Sequence, residues 1–392
     1  MKRPGGSHLE YHLLVLVTLG LVAFGLVMVY SASSARALLS SDAPSYYLKR
    51  QAIYAVMGLV ALVILSRFDF HRLRHATQPL LAVTFFLLVA VLAIGTAVNG
   101  ARRWIPIGFM NFQPSELAKL VLALWTAALL ARKPAPRTLG ELAKPIGVVV
   151  GLACALILIE PDLGTAIAIA IMVSAILVVS GTRIRLLASA TGIATGIVLL
   201  AIWFEPYRRE RIFSFLDPWH DPQGAGFQAV QSMIALGSGG FFGVGLGESV
   251  QKIYYLPEAS TDMIFAIVGE ELGLVGVMAV IAAFAVFAYA GFNIALHCRD
   301  PFGKRLAAGI TALICGQAAV NVSAVMGIAP LTGIPLPFVS YGGSSLVVGL
   351  AAVGILLNIA SNHAVVRETE VPDRGRRNRR TRASGTRRRR VA

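Results

Sequence analysis

Apolar residues run along this chain in long blocks, and neither the period of two expected of half-buried strands nor a single amphipathic stripe dominates. Blocks of about 17 to 25 apolar residues are what a membrane-crossing helix needs. They fall near 13–30, 51–66, 79–98, 116–131, 144–159, 163–180, 186–203, 263–290, 306–329 and 343–361. The pattern predicts an all-α polytopic membrane protein of about ten transmembrane helices. Ser31-Ala32-Ser33 resembles a signal-peptidase site, but the first run is longer than a signal peptide's apolar core, so an uncleaved span is expected. Between the seventh and eighth helices lies a long polar and aromatic segment, 205–261, too rich in Phe, Trp and Tyr to be a plain linker. A helix packed on or dipping into the membrane is expected there from Phe227 to Leu236.

Composition strengthens the pattern: of 392 residues, 56% are hydrophobic and 14% charged, with a mean hydropathy of +0.71. The net charge of +15 would suit a nucleic-acid binder, yet its distribution does not. Eleven arginines sit in the tail 362–392, and much of the rest lies in short loops at 67–78, 132–143, 181–185 and 291–305. Basic loops mark the cytoplasmic side. The expected layout is therefore a cytoplasmic N-terminus at 1–12, a membrane domain at 13–361 and a basic, unstructured cytoplasmic tail attracted to anionic lipid. No nucleic-acid partner is expected. With three cysteines and seven histidines, neither a disulfide framework nor a zinc centre is expected, and the metal-ligand set is none.

The candidate chemistry gathers on the outer side. Leu256-Pro257-Glu258-Ala259-Ser260-Thr261-Asp262 leads straight into the eighth apolar run, which puts Asp262 at the membrane rim. Asp262 can cap that helix, or it can be a catalytic carboxylate; spacing leaves both open. Glu270 and Glu271 lie deeper, where ionisable groups are costly and mark either function or buried pairing with cations. Glu116 and Lys119 share one face of the fourth helix, as a structural ion pair or, with Arg102 and Arg103, as part of an anion site. Glu160-Pro161-Asp162-Leu163-Gly164-Thr165 reads first as a turn with Asp162 as a helix cap. Pro330–Phe338, with three prolines, cannot be a regular helix, so it is either a re-entrant lining or a rigid turn.

These stretches carry a resemblance. NGARRWIPIG (Asn99–Gly108), FQPSELAKL (Phe112–Leu120), EPDLGTA (Glu160–Ala166), the segment Asp221–Lys252, YLPEASTDMIFAIVGEELG (Tyr255–Gly273) and PLTGIPLPFVSYGGSS (Pro330–Ser345) occur in order. Over residues 11–361 the chain resembles the SEDS family (shape, elongation, division and sporulation) of bacterial cell-wall proteins, and within it the division branch more than the elongation branch. The resemblance implies a peptidoglycan glycosyltransferase that polymerises lipid II at the outer face of the cytoplasmic membrane during septum formation. Its implied partners are a class B penicillin-binding transpeptidase and other division proteins. It places the essential aspartate on Asp262 and substrate-binding positions on Arg102, Arg103, Glu116 and Lys119, with Glu258 and Lys252 joining from the same outer segment. No fixed cofactor is implied, though a divalent cation, magnesium or manganese, would suit the pyrophosphate. Ser260 stands where the family often has His, and Met263 where Phe is usual. The expected reaction is an inverting glycosyl transfer with Asp262 as general base. Its rivals are an elongation polymerase of the same family, a lipid II flippase and a non-catalytic scaffold. Polar groups crowded on one face favour the enzyme over a flippase.

Overall fold

The computed structural model describes residues 6–39, 43–98, 101–108, 110–203, 213–253 and 255–369. In order, its long helices are α1 (Gly6–Leu39), α2 (Tyr46–Arg67), α3 (Phe70–Ile94), α4 (Pro114–Arg132), α5 (Leu139–Ile159), α6 (Leu163–Val179), α7 (Ile184–Trp203), α8 (Phe227–Ser238), α9 (Ile264–His297), α10 (Pro301–Val325) and α11 (Gly343–Thr369). Among the described residues, 8 helices are long and apolar enough to cross a membrane: α1 to α5 and α9 to α11. The sixth expected span is a shorter apolar helix of 17 residues, and the seventh is helical over 20. The first helix runs unbroken past Ser31-Ala32-Ser33. Expected features at 204–212 and most of the basic tail, from 370 onward, lie outside the described residues.

The helices sort by how polar they can afford to be. α4 has the lowest hydropathy of the eight and is the most enclosed, with 83% of its central window buried. Alanines at 118, 123, 127 and 128 let neighbours approach its backbone, as small residues do in membrane bundles. Around it stand α3, α6, α10 and α11, while α1 packs on α9 and α11, and α2 lies along α11. The outer helices α2 and α5 keep most of their apolar surface outward. That is expected where lipid replaces water and gives no drive to bury leucine.

One expectation needs correction. The chain after α3 is not helix to residue 98 but a small antiparallel meander, β1 (Thr96–Val98), β2 (Ala101–Ile107) and β3 (Met110–Phe112), in the order β1-β2-β3. Its register pairs Val98 with Ala101, Ala97 with Arg102, and Ile105 with Phe112. Outside the hydrocarbon the backbone no longer has to be helical, and Trp104, Ile105 and Ile107 favour strand.

A second correction concerns α9. Gly273 has φ 63° and ψ −158°, so the helix is broken there, two residues past Glu271. The freed groups are taken up by the glycine-rich chain after α8. Val244 and Gly245 N–H donate to the Glu270 and Glu271 carbonyls (2.9 and 3.1 Å), and Leu274 and Val275 N–H donate to the Gly240 and Phe241 carbonyls (2.9 and 3.2 Å). Irregular backbone at this depth survives only when satisfied in this way. The Gly273 conformation is one that essentially only glycine adopts, and a Cβ there would sit 2.4 Å from the Gly243 nitrogen. Gly273→Ala is therefore expected to cost at least about 1–3 kcal/mol, read as a lower melting temperature of the detergent-purified protein. Gly192→Ala on α7, where a Cβ meets nothing within 4 Å, should leave it unchanged or slightly raised.

Candidate active site

Asp262 sits just before α9, in a run of turns over 255–263. The helix N-cap is Met263, and no side chain caps there, so the capping role open to Asp262, Ser260 or Thr261 at that position is not taken. Two other elements hold the segment instead. Asn321 Nδ2 of α10 donates to the carbonyls of Asp262 and Ile334, both at 2.7 Å. Tyr341 N–H donates to the Ser260 carbonyl at 2.9 Å. These bonds sew the aspartate's backbone to the proline-rich segment 330–341, which is non-helical as expected and buries Ile334, Leu336 and Phe338. The Asp262 carboxylate faces Gly333, where a Cβ would lie 3.9 Å from Oδ2. Thr261 Oγ1 reaches Glu258 Oε2 at 2.9 Å and Asp262 Oδ1 at 3.3 Å, so one hydroxyl joins two half-buried carboxylates. Glu258 has φ 55°, a left-handed conformation uncommon for a residue with a side chain. Strain of that kind concentrates at functional sites.

The two deeper glutamates part company. Glu271 is fully buried and accepts from Lys252 Nζ (2.8 Å) and from Ser31 Oγ (2.6 and 2.7 Å). Lys252 also donates to the Gly247 carbonyl and to Ser31. Being 6% exposed and fully engaged, Lys252 leaves the expected substrate-binding set; it holds the glycine loop against α1 and α9. Glu270 takes no cation among the described residues. It accepts from Ser249 Oγ and from the N–H groups of Val250 and Gln251, closing the same loop.

Glu116 and Lys119 do pair on α4 at 2.8 Å, both nearly sealed from solvent. Lys119 also donates to Gln317 Oε1 at 3.1 Å, and Gln317 Nε2 donates to the Pro335 carbonyl at 3.3 Å. A cavity of about 20 Å³ lies between them and Phe338, room for about one water. The pair thus supports the proline-rich segment from below. Lys119 does not stand with the arginines as an open anion site in this conformation.

Arg102 is exposed on β2. Arg103 is committed to backbone: its Nε donates to the Glu160 carbonyl at 2.7 Å and its Nη2 to the Pro161 carbonyl. Asp162 caps α6 as expected, accepting from Thr165 N–H and Oγ1, and it also takes Gln113 Nε2 at 3.2 Å. Ser344 of α11 bridges in turn to Gln113 N–H and the Asn111 carbonyl. The meander, α4, the α5–α6 turn and α11 are thereby tied together at one end of the bundle.

In that turn Glu160 is 1% exposed, and neither carboxylate oxygen has a hydrogen-bond partner among the described residues. Burial, with a smaller push from Asp162 and some opposition from Arg103, raises its pKa from 4.5 to about 8. The unfolded chain then releases this proton at lower pH than the folded one. Stability contributed by neutral Glu160 is complete below about 4.5 and is lost as pH rises to about 8. The melting temperature of Glu160→Gln should exceed that of the original increasingly over this window. A constant offset between the two would refute the assignment.

No group of three or more His, Cys, Asp or Glu side chains could hold a metal among the described residues. His71 and His75 are four apart on α3, a two-ligand spacing that acquires no third ligand among the described residues. The signals missed in the sequence were polar residues inside apolar runs, Asn321 and Gln317 above all, and Ser31 at the end of the first run.

The model of the cell cycle proteins FtsW, RodA and SpoVE matches residues 11–364. The chain belongs to that family. A relative in Trichlorobacter lovleyi, named a probable peptidoglycan glycosyltransferase FtsW, is 43% identical over 90% of this chain and 93% of its own. Stage V sporulation protein E of Bacillus subtilis is 42% identical over 89% of this chain and 96% of its own. Among solved structures, a chain from a peptidoglycan synthase complex that coordinates polymerization and crosslinking has a TM-score of 0.73 at 32% identity, covering 89% of this chain and 97% of that one. The rod shape determining protein RodA of Thermus thermophilus has a TM-score of 0.66 at 28% identity, covering 89% and 96%. Like its FtsW and RodA relatives, the chain is an integral membrane protein with several spanning helices.

Proposed function

We propose that this family member is a peptidoglycan glycosyltransferase that polymerises lipid II at the outer face of the cytoplasmic membrane, in septal wall synthesis. The observation that supports it most is Asp262: a carboxylate just before the start of α9, not used as a helix cap and with its backbone fixed to the 330–341 segment through Asn321. Asp262 is the general base for the acceptor sugar's hydroxyl. Thr261 orients it, Glu258 shares the same hydroxyl, and Arg102 on the exposed strand offers a guanidinium to the departing pyrophosphate. Arg103 and the Glu116–Lys119 pair position the surrounding backbone. Should a divalent cation assist, Glu258 and Asp262 are the oxygens suited to it, since magnesium is commonly held by one or two carboxylates and the substrate phosphates. Its contribution would be neutralising pyrophosphate charge.

A transpeptidase of the penicillin-binding class is the proposed partner, by likeness to the peptidoglycan synthase complex. Both termini are proposed to be cytoplasmic. Cysteine introduced as His220→Cys should then react with an impermeant thiol reagent added to intact cells, whereas Arg137→Cys should not; the reverse would place Asp262 on the wrong side. The deciding experiment is lipid II polymerisation by the purified protein, with and without a cognate transpeptidase. Absence of glycan strands under both conditions would return the flippase and scaffold readings.

A further inference from the structure

A second polar cavity lies at the opposite end of the bundle. It measures about 250 Å³ and sits between the first turns of α3 and the last turns of α4. Arg74, His75, Gln78 and Arg132 line it, with Trp125, Ala128 and Leu129 as its apolar lining. On α4 the lining runs from Trp125 to Arg132, about 17–27 Å along the helix from Pro114 and the outer face.

Three observations make it an anion site. No carboxylate lines the cavity. Among the described residues, no ion pair engages Arg74 or Arg132. The Arg74 Nε is buried yet has no hydrogen-bond partner there. A guanidinium nitrogen taken out of water without an acceptor is costly, and one left so at a polar cavity calls for an acceptor from outside the chain.

Guanidinium forks fit tetrahedral phosphate oxygens. The volume is below that of most drug-sized pockets, which excludes a nucleotide and admits a headgroup phosphate. Trp125 and Ala128 are buried and give the cavity an apolar floor, whereas Leu129 is only partly buried and Arg132 is exposed, so apolar surface for an acyl chain adjoins the charged mouth. We propose that this cavity binds the phosphodiester headgroup of an anionic lipid of the inner leaflet, with Arg74 and Arg132 as its phosphate ligands. This site is separate from the outer face and stands whether or not Asp262 is a base.

The test uses the full chain, extracted from vesicles of phosphatidylcholine and phosphatidylglycerol and weighed with its retained lipids by native mass spectrometry. Retained phosphatidylglycerol should fall about tenfold in Arg74→Gln/Arg132→Gln, the loss expected for charge-assisted contacts. It should be unchanged in Arg183→Gln/Arg185→Gln, which removes two exposed cations of the same face outside the cavity. Equal retention by the original and the cavity variant overturns the proposal. So does a melting temperature raised by inorganic phosphate in pure phosphatidylcholine, with phosphatidylglycerol retained no better than phosphatidylcholine, since that marks a free-phosphate site. If the double variant is not monodisperse, Arg132→Gln alone decides, because Arg132 is exposed: unchanged retention refutes the lipid site.

Discussion

Asp262→Asn is expected to lose about 10²–10⁴ in the rate of glycan polymerisation, the range typical of removing a positioned general base. The protein should still reach the membrane and keep its melting temperature. Three features support that separation. The residue stands outside the N-cap, its backbone carbonyl rather than its carboxylate takes the bond from Asn321, and its side chain is only half buried. Asparagine preserves size and the capacity to accept from Thr261. Asp262→Glu should recover little, because lengthening the side chain by one methylene displaces the carboxylate from its near-attack position. Polymer yield and thermal stability measured on the same preparations check both halves. Full activity in the asparagine variant would leave the outer face without its base.

Lys252→Met is the second large effect, and it is on stability. It leaves Glu271 as an uncompensated buried carboxylate, with Ser31 as its remaining side-chain donor. Breaking one side of a buried pair typically costs about 3–5 kcal/mol, whereas replacing both members by apolar groups is often neutral. Lys252→Met/Glu271→Leu should therefore regain most of the melting temperature that Lys252→Met loses. If the double variant is as unstable as the single one, the lysine's bond to the Gly247 carbonyl matters more than its charge.

Much of the architecture was legible because hydrocarbon imposes a blunt rule: a span needs a long apolar run. The predicted ends at 116–131 and 144–159 lie within a few residues of α4 and α5. What hydropathy cannot register is a backbone angle, so the break at Gly273, inside an apolar run, left no trace in the pattern. Nor could spacing assign partners to the two glutamates. Their ligands arrive on a loop folded back by glycines, from about twenty residues upstream, with Ser31 from the far end of the chain. Glu116 with Lys119 was readable, since three residues on a helix enforce proximity. Its enclosure beneath Phe338 was not, because that depends on a prolyl segment more than two hundred residues away. The meander escaped notice because two of its three strands have only three residues, too few for alternation to stand out.

The break at Gly273 divides α9 mechanically. Residues 274–297 form a rod about 36 Å long at 1.5 Å per residue, and its upper end rests on the carbonyls of Gly240 and Phe241. Ile264–Leu272 is a separate stub, and Asp262, two residues before it, is tethered to α10. A neighbour that tilts or twists the lower rod transmits its torque into the glycine plug, and the carboxylate stays where α10 keeps it. To move the carboxylate itself, a neighbour has to displace α10, and the 330–341 segment then travels with it as a single jaw.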